Sequence, residues 1–592
     1  MVSIENLLER VQQAETEQDR QWILLELQIS QMSDELASML WAAAIPHFFD
    51  AQILAALRPE LTDKAEQLDT DLQQLTFVEE FPEQGHNIHE LTREVLLNQL
   101  WHNNQEEFRR LSQRAADYFW SKKTSAIEDV EFCYHEILNE GNTQTGRLLD
   151  RVYDWWTYNQ VDRLQAALQG FEEHDQAGRL DLFGQGFLFH LQGLIKKRLG
   201  NYAEAESFFS RAQVTYEGIK VKNPRYITTL LRDLSNSKRQ QGNYESAIPI
   251  SEKALSISEE QLGANHPDTA TSLGNLAGLY QNLGRYQQAE SLYLRALEIC
   301  EEQLEIDHRD IAASFNNLAL LYHNLGRYQQ AEPLYLRALN ICEAQLGANH
   351  PDTASSLNNL GLLYQDLGRY QQAEQLYHRA LKINEKQLGA NHPHTATSLN
   401  NLAGLYKDLG RYQKAEPLYR RALSICEEQL GANHPNTTTS LNNLAALYQE
   451  LRRYQEAEPL YLRALEINEE QLGTNHPHTA ASLNNLATLY QEQQRYQEAI
   501  PLLERWKSIK QERQETHNSS FADDVRRLGK LYENCHQIPQ AINNYELALS
   551  IFKQILSAKH PRTLVLQGEL GRLKRNTKSK SKKGKKNKKR RK

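Results

Sequence analysis

The sequence predicts an all-α protein built as a stacked array of helical hairpins, with a helical N-terminal module and a disordered basic tail. Three observations carry this. His266, His308, His350, His392, His434 and His476 stand 42 residues apart, and His560 falls two periods further on. Between successive histidines lie two segments with apolar residues at helical spacing. The first is marked by Leu273, Leu276, Ala277 and Tyr280, the second by Ala289, Leu292, Tyr293, Ala296 and Leu297. Glycine and proline punctuate them. Gly284, Gly326, Gly368 and Gly410 close the first helix where a left-handed residue is easiest. Pro267, Pro351, Pro393, Pro435 and Pro477 suit the first position of the next first helix, where no N–H is needed. One hairpin cannot bury its own apolar face, so the units must stack.

Taken in order, residues 1–120 read as a helical module with short apolar segments at Leu36–Ile45, Phe49–Leu57 and Leu91–Leu100. Within it, Leu75–Leu97 reads as a small β-hairpin followed by a helix. Residues 121–182 form a helical arm with Trp155 and Trp156 in its core, and 183–267 carry degenerate hairpins. Six regular units fill 268–515, starting near Asp268, Asp310, Asp352, His394, Asn436 and His478. A terminal unit and capping helix occupy 516–573, and 574–592 are the tail. Arg452 and Gln494 replace the turn glycine at some local cost. Pro333, Pro417, Pro459 and Pro501 are expected within about the first turn of the second helix, where proline is tolerated. Trp506 stands where the other units carry a small residue, so stacking is expected to change there.

A chain of 592 residues is too long for one compact core. The opening residues MVSIENLLERVQQAE are polar and acidic, so no signal peptide is expected. The longest early apolar run, Met39–Pro46, falls far short of the ~18 residues a membrane span needs. Cys300, Cys342 and Cys426 share one repeat position, too far apart to pair across the ~7 Å limit of a disulfide, so a reducing cytoplasm is expected. The net charge of −9 divides unevenly: from Lys574 onward 13 of 19 residues are Lys or Arg, which leaves 54 basic against 76 acidic residues before it. No phosphate-binding loop, metalloprotease motif or nucleophile elbow is present, so no catalysis and no cofactor are expected. The repeated histidines, one per joint, cannot converge on a metal ion and read as structural.

The concave face of a hairpin array is formed mainly by the first helices. One position there is uniform: Asn275, Asn317, Asn359, Asn401, Asn443 and Asn485. The preceding residue is also asparagine in five units: Asn316, Asn358, Asn400, Asn442 and Asn484. Asparagine is a poor helix former, so its retention needs a reason. An amide offers both donor and acceptor and can grip the backbone of an extended peptide whatever its side chains. The alternative is that these amides bond between adjacent repeats and set the stacking. One turn further on, the face turns acidic toward the C-terminus, through Asp366, Asp408, Glu450 and Glu492.

The pattern of Ala277, Tyr280, Ala289, Tyr293 and Ala296 resembles the tetratricopeptide repeat, in a unit longer than that family's usual ~34 residues. The "QLGANHP" joint and the "LNNLAxLY" phrase more specifically resemble kinesin light chains, and the same long unit occurs in bacterial multidomain sensors. The resemblance implies a right-handed superhelical array acting as a non-catalytic adaptor in the cytoplasm. By it the protein would bind cargo as the regulatory subunit of a microtubule motor complex, with a motor heavy chain as partner. In tetratricopeptide domains the equivalent asparagine contacts bound peptides, and that role carries to the ladder. Kinesin light chains begin with a heptad coiled coil, and residues 1–120 show no sustained heptads.

That N-terminal part instead resembles the winged-helix module of STAND-type signalling ATPases. "IHE" at Ile88–Glu90 sits where that family carries Met-His-Asp, which would make His89 a nucleotide sensor. The chain has no phosphate-binding loop of its own, which favours a bare protein-contact module over a nucleotide sensor; the resemblance then implies a sensor subunit with its ATPase on a separate chain. A third reading is a polyanion-binding protein acting through its basic tail, which has no aromatic residue to stack on bases.

Overall fold

The computed structural model describes residues 4–82, 84–122, 125–143, 145–158, 160–303 and 309–589; His308 lies outside them. The chain divides into two compact units, one of Met1–Lys196, Glu204–Leu234 and Lys253–Gly263, the other of Lys197–Ala203, Ser235–Glu252 and Ala264–Lys592.

In the first unit, local chemistry sets the early helix boundaries. Thr16 and Asp19 form a capping box at the start of Glu17–Ile29. The side chains of Ser33 and Asp50 accept from the backbone N–H of Leu36 and Ile53 to start Asp34–Ala43 and Ala51–Leu57. Strands Val78–Phe81 and Gly85–Ile88 pair antiparallel with Val78 opposite Ile88, and the helix Glu90–Asn103 follows. The hairpin falls within the Leu75–Leu97 stretch that predicted it, and the helix begins there and runs on to Asn103. Phe49 bridges to His86 beside this hairpin. Met39, Leu40, Phe49, Leu54, Leu96 and Phe119 form part of the core. Trp155 is buried as expected.

This unit also buries charge. Glu140 accepts from Tyr226 Oη (2.7 Å), the Gly146 N–H (2.7 Å) and Thr145 Oγ1 (2.9 Å). Beside it, Glu136 accepts from Arg147 Nε and Nη2 at 3.0 and 2.9 Å. Burial and the neighbouring Glu140 push the Glu136 carboxyl up to about 8, as expected when two acids share a dry site. A second cluster joins His47 Nδ1 to Glu131 (2.5 Å), and Tyr134 Oη to Glu173 (2.6 Å). Arg93 donates there to the Ile45 carbonyl (2.9 Å).

The second unit is the array. Its hairpins are Pro267–Asn282 with Tyr286–Gln303, Arg309–Asn324 with Tyr328–Gln345, Pro351–Asp366 with Tyr370–Gln387, Pro393–Asp408 with Tyr412–Gln429, Thr437–Glu450 with Tyr454–Leu472, Pro477–Glu492 with Tyr496–Glu512, and Ser519–Asn534 with Ile538–Ile555. Gly284 and its three repeats have φ between 67° and 72°; Arg452 (58°) and Gln494 (63°) hold the same left-handed turn with a side chain attached. Alanines at the helix crossing, such as Ala289, Ala331 and Ala373, are fully buried. Gly361 takes one such place, and a Cβ there would stand 2.7 Å from the Tyr377 ring.

Pro333, Pro417, Pro459 and Pro501 lie inside their helices rather than in the first turn. Each is the sixth helical residue, so it removes one early i→i−4 bond and leaves the later ladder intact. Trp506 is accommodated by a second exchange: Phe521 stands where five of the six earlier units have Thr, and the two rings stack at 5.3 Å. The final helix spans Pro561–Lys589. The backbone is helical through the basic run as far as Lys589, where charge composition had predicted disorder. Lysine and arginine are good helix formers and the run contains no proline, a local preference that charge counting overlooks.

Candidate functional site

Within the array the two asparagine sets part company. Asn316, Asn358 and Asn400 donate Nδ2 to the serine of the following repeat, Ser356, Ser398 and Ser440, at 3.2, 3.0 and 3.0 Å. Asn484 accepts from Arg527. These bonds tie each repeat to the next, which corrects the expectation that Asn316, Asn358, Asn400 and Asn484 face a ligand. Their direction along the helix, one residue before the ladder, points them at the neighbouring hairpin. Asn442 has its Oδ1 buried without a partner. Sequence reading could have found the stacking from the serine that stands at one repeat position in all six units, from Ser272 to Ser482.

The ladder is different. Asn317 is exposed, and Asn275, Asn359, Asn401, Asn443 and Asn485 are half-buried. No hydrogen bond engages any of these six side chains among the described residues. Asn275 and Asn317 line a cleft of about 360 Å³ together with Asn236, Arg239, Gly278 and Tyr293. The cleft opens where this repeat carries Gly274 and Gly278 in place of the Asn316 and Leu320 of the next. Arg239 has its Nε buried without a hydrogen-bond partner. Burial pushes the Tyr293 phenol up to about 12, so it presents a neutral hydroxyl. Sequence reading missed Arg239 and Tyr293; the paired glycines were the available signal.

The polar row one turn along is largely engaged within the chain. His323 Nε2 meets Asp366 at 2.7 Å, Gln365 donates to Asp408 at 2.6 Å, Lys407 lies 3.4 Å from Glu450 and Gln449 donates to Glu492 at 2.7 Å. The acidic trend is therefore partly offset where it occurs.

The joint histidines cap helices. Nδ1 of His266, His350, His392, His434 and His476 accepts the backbone N–H two residues on, at 3.0–3.1 Å. His89 lies 61% exposed in front of the helix Glu90–Asn103, with Nε2 3.5 Å from Glu79. Among the described residues no cluster of His, Cys, Asp and Glu could hold a metal ion, and no helix is long and apolar enough to cross a membrane.

The hairpin geometry, the small residues at each crossing and the paired tyrosines are joined by a sequence match. The tetratricopeptide repeat model matches residues 225–302, 310–386, 358–428, 394–470 and 436–512. These segments are tetratricopeptide repeats. Similar solved structures include a kinesin light chain-type protein of Podospora anserina with nearly identical tetratricopeptide-like repeats. It is 28% identical over 35% of this chain and 98% of that one, with a TM-score of 0.30. BtubC (BKLC) of P. vanneervenii is 26% identical over 40% of this chain and 92% of that one, with a TM-score of 0.32. A STAND protein of Pyrococcus horikoshii with a tetratricopeptide repeat sensor is 15% identical over 78% of this chain and 68% of that one, with a TM-score of 0.48. No curated protein matches the chain. A tetratricopeptide array is a scaffold for protein–protein interaction.

Proposed function

We propose that the tetratricopeptide array is a non-catalytic adaptor that holds an extended segment of a partner protein along the Asn275–Asn485 ladder. The observation that carries this is the set of six amides, one per repeat, left unbonded on accessible positions among the described residues. Each amide can give and take one backbone hydrogen bond, worth ~0.5–1.5 kcal/mol apiece, so affinity needs several repeats acting together. Arg239 adds a cation at the N-terminal end of the ladder.

On this reading the partner belongs to a larger cytoplasmic machine. The repeat type favours a kinesin light chain-like role, as the cargo-binding, regulatory subunit of a microtubule motor with a heavy chain as partner. The β-hairpin and helix at Val78–Asn103 favour a second role, as the sensor subunit of a STAND-type system whose ATPase is a separate chain. The run from Lys574 offers a third, a polyanion contact.

The test is a pull-down from native lysate with the full chain, beside a variant carrying Asn317→Ala, Asn359→Ala, Asn401→Ala and Asn443→Ala. The variant is expected to keep its circular dichroism and lose the partner. Equal retention by both would sink the ladder reading. The identity of the partner, motor chain or ATPase, then chooses between the first two roles. Salt-dependent heparin retention with and without 574–592 reads the third.

A further inference from the structure

Two hairpin tips of the array unit close onto joints far along the chain, at the same offset of 234 residues. Gly200 packs on His434 and Pro435, and Gly242 on His476 and Pro477. The approach leaves no room: a Cβ on Gly200 would stand 2.8 Å from Pro435 Cδ, and one on Gly242 would stand 2.8 Å from Pro477 Cδ. Gly284 and Gly326 occupy the same repeat position with φ of 72° and 70°, yet have nothing within 4 Å. The tips at 200 and 242 are therefore constrained by contact as well as by turn geometry.

Hydrogen bonds fix the same contact. Nδ1 of His476 accepts from the His478 N–H, so the ring proton sits on Nε2, which lies 2.8 Å from the Gln240 carbonyl and donates to it. His434 repeats the arrangement: Nδ1 accepts from the Asn436 N–H at 3.0 Å, and the backbone of Arg198 bonds the ring. Arg513 Nη2 donates to the Gly242 carbonyl at 3.0 Å, and its guanidinium lies 5.3 Å from the Tyr244 ring centre. Each imidazole thus serves two masters, a helix N-terminus on one side and a distant turn on the other.

We propose that these contacts form a histidine clasp that locks the array into a closed turn and that opens when the two imidazoles are protonated. A second ring proton would sit on Nδ1, facing the N–H it now accepts, so the cap and the seat of the ring are lost together. Groups facing His476 are His478, Arg513 and Glu515; Arg198 faces His434. Burial, helped by His478 and Arg513 at His476 and by Arg198 at His434 and opposed by Glu515, holds both imidazoles down to about 4. A depressed histidine contributes stability that is complete above its free value of about 6.5 and is lost as pH falls toward the folded value. The clasp is accordingly shut at neutral pH and weakens through mild acid.

The experiment uses the full chain, by small-angle scattering and by hydrogen exchange at the capped amides of Asn436 and His478, at pH 7.5 and 5. The pair Gly200→Ala and Gly242→Ala is compared with Gly284→Ala and Gly326→Ala, which carry the same backbone strain without the collision. The first pair is expected to expand the particle at pH 7.5 and to speed exchange at both caps about tenfold; the second pair leaves both readings native. The pair His434→Asn and His476→Asn keeps a capping side chain but cannot reach the tips. It is expected to stay folded, to be open at pH 7.5 and to lose the response to acid at these caps. Identical scattering and cap exchange for the two glycine pairs would overturn the clasp. A native protein whose caps exchange alike at both pH values, after correction for intrinsic rates, would overturn its opening by protonation.

Discussion

The first unit and the array solve the same problem, holding helices together, by opposite means. The first unit buries its carboxyl groups: Glu131, Glu136 and Glu140 are at most 4% exposed and are held by particular partners. The array keeps its ions at the surface and repeats them. Arg327, Arg369, Arg411, Arg453 and Arg495 each meet a glutamate of the preceding repeat, from Glu290 to Glu458, at 2.6–3.3 Å. In four of these repeats, those of Arg327, Arg369, Arg453 and Arg495, the arginine also lies over a tyrosine of its own repeat, as Arg369 does over Tyr364 at 3.9 Å. A buried ion has no substitute for its partner, whereas a surface pair is worth ~0–1 kcal/mol and gains importance through number. The first unit is therefore specified site by site, and the array by recurrence.

The sharpest way to break this contrast is in the first unit. Glu140→Ala leaves the Tyr226 hydroxyl and the Gly146 N–H buried without an acceptor, and should cost about 3 kcal/mol by urea unfolding followed on that unit. A cost near zero would show that water substitutes for the carboxylate and would erase the distinction.

The largest effect inside the array should come from one of its few buried polar seams. Ser398 accepts from both Asn358 and Asn384 at 3.0 Å. Ser398→Ala should destabilise by about 1–3 kcal/mol, read as faster amide exchange in the hairpins on either side. Gln494→Gly should act in the other direction. It relieves a left-handed side chain at φ 63° and should stabilise by about 1 kcal/mol. The gain is checked by the shift in urea midpoint.

Arg421→Ala removes one surface pair, 2.7 Å from Glu385, and should cost only about 0.5 kcal/mol, less still in high salt. Smallest of all is Asn359→Ala. Its amide bonds nothing among the described residues, so the melting temperature should stay within the range of ordinary surface substitutions. A clear loss of stability would show the ladder to be structural after all.

How far the sequence spoke for itself divides along the same line. In the array, periodicity made the hairpins, the glycine turns and the proline starts legible, because each depends on residues a few places apart. The role of Asn358 was harder to read, because its partner Ser398 lies 40 residues on and only the serine repeated at one position pointed to it. Arg239 escaped notice because the cleft beside it is made by side chains that are missing, at Gly274 and Gly278. In the first unit, the hairpin at Val78–Ile88 could be read from local pattern. The pairing of His47 with Glu131, 84 residues apart, had no periodic signal to betray it.

The 42-residue period also bears on how such a chain can change its length. Delete the unit from Asp310 to Pro351, and Glu290 would receive Arg369 in place of Arg327, an identical seam. Duplication would be equally silent, so copying errors of one whole repeat should leave a foldable protein. The contact of Gly242 does not share that indifference to loss. With one repeat fewer, Gly242 would arrive opposite Asn518 and Ser519, which offer neither imidazole nor pyrrolidine ring. An array that any unit could join thus carries one check against loss, at Gly242; Gly200 would meet His476 and Pro477, the same pair of rings.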